Sequence, residues 1–417
     1  MRHLRGPTQS HSVQLPIEIW ERVIDFLAED IHGISSGTDD ALNRFATVCR
    51  AWEPRCRFHL YRNVRMHDKG QVSGIAKMIR KHRYLQNAIH LVHFDRMDAM
   101  GLFATMMVRK LPSLQMIGIR GPTEWKSGLM HADVPMFLAT FTSITRLSLK
   151  WVTFPSVVVF GRLVCALPNL TYLQCQWLTF RADGRATPPK HNAITEVHLS
   201  GLGSDTIPFL LTTSISHGLK RLTLEDIQDE DMRFDRIQQL LEGVGESLLS
   251  VHLHPDPYAK FLTGSKIHLG HNPHLEVFEF TSRFPTEDPD SLHHLLSGIS
   301  PSKLREVSIT VIVELVDFSR DVTLAQVLSV FRDDVYVKVD QLLSHSRFTK
   351  FRAITFTLML EARLHVDVPS LIPSEHDWWQ CISLRFPHLC AQERLRTQIV
   401  TEDRWVQGGS GYYKPIV

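Results

Sequence analysis

A phrase of three apolar residues, spaced apolar-x-x-apolar-x-apolar, recurs along most of this chain. It reads Leu114-Ile117-Ile119, Ile144-Leu147-Leu149, Leu170-Leu173-Cys175 and Ile194-Val197-Leu199, then Leu219-Leu222-Leu224, Leu248-Val251-Leu253, Leu275-Phe278-Phe280 and Leu304-Val307-Ile309. A weaker Ile89-Val92-Phe94 precedes these, and Phe351-Ile354-Phe356 follows after a wider gap. From Leu114 to Leu304 the starts lie between 24 residues (Leu170 to Ile194) and 30 residues (Leu114 to Ile144) apart. Each phrase has the length of one strand, and no single unit could bury its apolar side alone. Neighbouring units must therefore stack, which predicts an α/β chain built on a parallel sheet. Segments such as "SVVVFGRLVCAL", "DTIPFLLTTSI" and "FDRIQQLLEGV" read as helical or irregular returns between strands.

This spacing resembles that of leucine-rich repeats. The Asn or Cys of that family, eight positions after the first anchor, is here Val152, Leu178, Leu202 or Ile227. The side-chain ladder of regular repeats is thus absent, and the resemblance implies an irregular leucine-rich-repeat-like solenoid over residues 65–360. A stack of ordinary α/β units is the alternative. Past Phe356 the phrase dissolves. "PSEHDWWQCISLRFPHLCAQERLRTQIV" reads as one or two helices with Trp378, Ile382 and Leu389 as core, so a C-terminal helical cap is expected over 361–405 and a flexible tail over 406–417.

Strand side chains alternate faces with period two, so the residues between the inward anchors share the open, concave side. They are mostly polar and mixed in sign: Arg146, Ser148 and Lys150, then Tyr172, Gln174 and Gln176, then Glu196, His198 and Ser200. Arg221, Thr223 and Glu225 follow, then Ser250, His252 and His254, then Glu279 and Thr281. Arg146, Lys150, Tyr172, Gln174, His198, Arg221, Glu225, His252 and His254 are the candidates for holding a target protein. His252, His254 and Asp256 could also face one metal, although a polar sheet face accounts for the same residues, and no metal or other cofactor is expected.

The front of the chain has a different texture. In "LPIEIWERVIDFL", Trp20, Val23, Ile24 and Leu27 fall at i, i+3, i+4 and i+7, one helical stripe, with Pro16 in the first turn. A polar loop leads to Thr38 or Asp39 as cap of a second helix, "ALNRFATVCRAW", and Pro54 can start a third. A third helix this small cannot cover two such apolar faces, so some apolar side chains should stay available to a partner.

"LPIEIWERVIDFL" followed by "VCRAW" resembles an F-box. The matching residues are Leu15, Pro16, Glu18, Ile19, Ile24, Leu27, Val48, Cys49, Arg50 and Trp52, within residues 14–64 and behind a disordered leader 1–13. The loop from Ala28 to Asp40 is longer than that family's. The resemblance implies docking to the Skp-type adaptor of a cullin–RING ubiquitin ligase through Leu15, Pro16, Glu18, Ile19, Trp20, Ile24, Leu27, Val48, Cys49 and Trp52. The chain would then be a substrate-recognition subunit that binds a target protein for ubiquitination. A non-catalytic scaffold that binds the adaptor or another partner without ubiquitin transfer fits the same residues.

Composition narrows the field. With 46 basic and 44 acidic side chains, the chain is not a general polyanion binder, and no nucleic-acid partner is expected. "MRHLRGPTQSHSVQ" has a basic start but no apolar stretch behind it, and "PSVVVFGRLVCALP" is too short to span a bilayer and holds Arg162, so no membrane partner is expected. The six cysteines are scattered with no CxxC, which suits thiols in the cytoplasm or nucleus. GxxxxGK and HExxH are missing, and a non-enzymatic chain is expected.

Overall fold

The computed structural model describes residues 16–31, 36–124, 134–182, 193–201, 206–213, 215–227, 231–255, 267–284, 291–315, 333–363 and 373–404. The chain divides into two compact units, Met1–Asn63 and Val64–Val417.

The first unit holds three helices, α1 (Ile17–Ile31), α2 (Ser36–Val48) and α3 (Glu53–Leu60). The first two start and end differently from the expectation. Helix α1 runs four residues past Leu27, and α2 stops at Val48, so Cys49 to Trp52 form the turn into α3. The core is small: Ile24, Ala28, Leu42 and Cys56, with Phe45, Ala46, Trp52 and Leu60 packed against it. Trp52 lies 4.7 Å from Trp20 and 6.3 Å from Phe45, ring centre to ring centre, so the indole locks α1 and α2 onto the start of α3. A polar staple adds to it. Arg55 donates from two nitrogens to the two Asp25 oxygens, each at 2.5 Å, and His59 Nε2 lies 2.7 Å from Asp25 Oδ1. Those hydrogen bonds, Arg55 first, hold the Asp25 carboxyl below its ordinary pKa against the opposing effect of burial.

The second unit is organised by one sheet, thirteen strands among the described residues. The first strands are β1 (Asn63–Met66), β2 (Leu91–Phe94), β3 (Met116–Glu124), β4 (Arg146–Ser156), β5 (Tyr172–Gln176) and β6 (Thr179–Ala182). Then come β7 (Glu196–Ser200), β8 (Arg221–Ile227), β9 (Ser250–Pro255), β10 (Val277–Phe284), β11 (Glu306–Leu315), β12 (Ala353–Arg363) and β13 (Leu395–Arg404). They lie side by side in chain order, except that the short β6 pairs with β4. From β2 onward the pairings are parallel, as between β4 and β5 or β11 and β12.

The repeated phrase explains this order. Its ten copies supply thirty anchors, and all thirty are buried; Leu147, Leu149, Val251 and Leu253 have no exposed surface. Inward side chains of the strands meet the returning helices. Phe94 packs on Phe103 of helix Met97–Met106 at 5.1 Å, and Phe154 on Phe160 of helix Val157–Cys165 at 5.4 Å. Phe356 packs on Phe386 at 4.8 Å.

Two expectations need correction. The sheet is not a leucine-rich-repeat-like solenoid of similar coils but one continuous mixed α/β sheet with unequal connections. Strand starts are 47 residues apart from Glu306 to Ala353 and 42 from Ala353 to Leu395. The described helices of the returns range from the four-residue Leu85–Ala88 to the fourteen-residue Asp231–Val244, because the phrase fixes strand pairing and leaves the return free. The C-terminal region is also not a purely helical cap. Helices Glu375–Ser383 and Pro387–Ala391 are followed by β13, where Leu395, Thr397 and Ile399 alternate with polar residues at the period of a strand. Trp378, Ile382 and Leu389 are core residues there, as read from the sequence. The tail 406–417 and the leader 1–13 lie outside the described residues.

A carboxylate closes this end. Helix Pro387–Ala391 has no capping side chain of its own. Asp340, on helix Asp333–Ser344 and 1% exposed, accepts the backbone N–H groups of His388 at 3.1 Å and Leu389 at 3.0 Å, and also meets His388 Nδ1 at 2.6 Å. Asp340→Ala strands those donors and should cost about 1–3 kcal/mol in urea unfolding. An unchanged midpoint would show the cap to be dispensable.

Candidate functional site

Two surfaces carry candidate residues, one on each unit. On the helical unit, Pro16, Glu18, Ile19, Val48 and Cys49 are exposed, Trp20, Leu27 and Trp52 are half-buried, and Leu15 lies outside the described residues. Ile24 is 2% exposed and belongs to the core, so its part is to hold α1 in place. Trp20 and Trp52 are spent largely on each other. Three apolar side chains that the motif did not single out also stand open: Ile17 at 38%, Val23 at 39% and Phe26 at 69%. Apolar side chains left open on so small a unit make this surface a candidate interface.

On the sheet unit the expected polar face exists as aligned rows. Arg146, Tyr172, Glu196, Arg221 and Ser250 are lateral neighbours. Ser148, Gln174, His198, Thr223, His252 and Glu279 form the second row. Arg120, Lys150, Gln176, Ser200, Glu225 and His254 form the third. All nine candidates read from the strand alternation thus share one face, over strands β4 to β9.

The rows are wired by side chains. Ser148 Oγ donates to Gln174 Oε1 at 2.7 Å, Gln174 Nε2 lies 3.5 Å from His198 Nδ1, and His198 Nε2 lies 2.9 Å from a Glu225 oxygen. Burial, the largest influence, would raise the Glu225 carboxyl, but the His198 imidazole against it and the nearby His254 and His252 hold it below its ordinary pKa. Beyond it, His252 Nε2 meets Thr281 Oγ1 at 2.9 Å. Arg283 reaches His254 at 3.3 Å and the buried Glu361 at 3.3 Å. Arg221 pairs with Glu196 at 3.3 Å.

Alternation fails at one place, with a consequence for this face. The residue after each third-row position of β3, β4, β5, β7 and β8 has a left-handed backbone: Gly121, Trp151, Trp177, Gly201 and Asp226. A period-two reading would turn Trp151 and Trp177 inward; instead each indole is 37% exposed, and the inward places fall to Val152 and Leu178. These tryptophans, and Asp226, were missed because left-handed geometry at a non-glycine residue has no sequence signal. Asp226 accepts from Ser200 Oγ at 2.6 Å. A Cβ on Gly201 would sit 2.3 Å from the Trp177 ring, and one on Gly118 would sit 2.0 Å from His93 Nδ1, so both glycines admit a neighbouring ring.

The metal idea finds no support among the described residues, where no group of three or more His, Cys, Asp or Glu is placed to hold an ion; Asp256 lies outside them. No helix among them is long and apolar enough to cross a membrane. No family model matches the chain, and no curated protein matches it.

Two consequences can be measured. Burial first, then the Arg283 charge, pushes His254 down to about 4 from 6.5, while Glu225 and Asp226 act against the shift and His252 adds to it. The unfolded chain takes up that proton first, so this contribution is intact above about pH 6.5 and falls away toward pH 4. At pH 4.5 the loss should be about 2–3 kcal/mol, and His254→Gln should shrink the difference between urea unfolding at pH 7.5 and 4.5. An equal difference in the variant would refute it. Gly201→Ala, strained at φ +56° and against Trp177, should lower stability by about 1–3 kcal/mol and red-shift tryptophan emission as the indole is pushed toward water.

Proposed function

We propose that this chain is a non-catalytic substrate receptor of a cullin–RING ubiquitin ligase. Helices α1 and α2 dock a Skp-type adaptor, and the polar sheet face holds a target protein near the machinery that transfers ubiquitin. The reading rests on the F-box resemblance of "LPIEIWERVIDFL" and "VCRAW". The observation that supports it most directly is the apolar exposure on the helical unit, with Ile19 at 40% and Val48 at 61%. Side chains of that kind, filling a groove on a partner, account for surface that the unit's own core leaves uncovered.

Recovery of adaptor and cullin together with the full chain, purified from cells, supports the receptor. Recovery of adaptor without cullin favours a scaffold that ends at the adaptor, and recovery of neither removes the proposal.

The structure also sharpens the choice of variants. Ile19→Ala with Val48→Ala trims exposed side chains and should weaken adaptor capture at least tenfold, on the order of 2 kcal/mol, with the far-ultraviolet dichroism unchanged. Trp52→Ala removes a stacked core indole and should unfold the helical unit as well. Undiminished capture by the double variant would exclude these two residues as contacts.

A further inference from the structure

The sheet ends at β13, and among the described residues that strand pairs with β12 alone. The two run together over ten positions without a bulge, and β13 contains neither proline nor glycine. Ile354 N–H donates to Arg394 O at 2.8 Å. With the pairing register, that bond turns the N–H and C=O groups of Arg396, Gln398, Val400 and Glu402 toward β12. Those of Leu395, Thr397, Ile399, Thr401 and Asp403 turn outward, and no described residue meets them.

A long edge of this kind is a template for another strand, and proteins commonly blunt it with proline or a bulge. Strand β13 has neither, and its charges point to one partner. Arg396 is exposed and makes no ion pair with any described residue. Glu402 stands opposite the buried Glu361 in the register with β12, and Glu361 already holds Arg283 at 3.3 Å. Like charges opposite each other on neighbouring strands cost stability, so a cation on the open side of Glu402 offsets that cost.

We propose that β13 pairs antiparallel with β13 of a second copy of this chain, about a two-fold axis through Ile399. Symmetry allows only registers that keep each face on its own side, and two of these overlap the strand most fully. Centred on Ile399, the outward residues oppose one another: Leu395 meets Asp403, Thr397 meets Thr401, and Ile399 meets itself. The same register sets Arg396 of each copy opposite Glu402 of the other. Centred on Val400, Arg396 would instead face Arg404, so charge selects the first. Five outward residues per copy give about ten backbone hydrogen bonds across the seam. The two polar faces then lie on the same side of one continuous sheet. This pairing goes beyond the receptor reading and does not depend on the adaptor, which is assigned to the other unit and assayed separately.

Sedimentation of the purified full chain across the micromolar range tests it, and a reversible monomer–dimer equilibrium is expected. Arg396→Glu and Glu402→Arg should each weaken the dimer at least tenfold, and the chain carrying both exchanges should recover to within threefold. Thr397→Pro removes an outward N–H and spares the bonds to β12, so it should yield a monomer with an unchanged urea midpoint. If that midpoint moves, the charge exchange decides the matter. Hydrogen exchange over 395–404 should show the five outward amides protected in the dimer alone. A monomer at every concentration overturns the proposal, as does a dimer indifferent to the single exchanges or one that the double exchange fails to restore. Protection of the outward amides in a monomer would show the edge covered by the chain's own residues and overturn it as well.

Discussion

The sheet depends on one repeated backbone lock. At the entry to successive strands, two consecutive N–H groups point at one carbonyl of the preceding unit. Thr145 and Arg146 meet Gln115 O, Thr171 and Tyr172 meet Thr145 O, and Thr195 and Glu196 meet Thr171 O. The series continues with Lys220 and Arg221 on Thr195 O, Leu249 and Ser250 on Lys220 O, and Glu276 and Val277 on Leu249 O. Each lock fixes register, and register decides which side chains face the helices. With it set, the apolar trio of every unit lands in the core and the residues between them land together on the opposite face.

Function, on this account, follows from what the lock leaves over. Because rows are in register, Ser148, Gln174, His198 and Glu225 touch in series across four strands, and Arg120 lies beside Lys150. The first arrangement stabilises the sheet and consumes its polar groups. The second places two cations side by side, next to two half-exposed tryptophans brought out by left-handed residues. The helical unit has a parallel division: Trp52, Ile24 and the Asp25–Arg55 bond hold it together, while Ile19, Phe26 and Val48 are left outward.

Much of this was legible from residue order. Ten apolar phrases marked ten strands, and alternation assigned all nine polar candidates to one face. Three strands escaped. Strand β1 offers only Val64 and Met66 as buried positions, and β6 is a four-residue strand with no buried residue. In β13 only Leu395 and Val400 are buried among the described residues, so the alternation of Leu395, Thr397 and Ile399 carries a weak apolar signal. The solenoid expectation went too far because anchors report on pairing and not on the form of the returns, although the wider gap before Phe351 already set the return after β11 apart. On the helical unit, motif matching could not tell contact from core, since Ile24 and Ile19 fit one pattern and sit on opposite sides of the helix. Long-range polar partners, such as Asp340 under His388 or Glu361 under Arg283, are 48 and 78 residues apart and leave no local trace.

The central claim is that the exposed apolar side of α1 and α2 exists to receive an adaptor. Isothermal titration of a purified Skp-type adaptor into the purified full chain tests it without any cellular intermediary. The account predicts saturable binding of one adaptor per chain, with the negative heat-capacity change of buried apolar surface. Absence of binding at micromolar concentrations, with the helical unit shown to be folded, would contradict it.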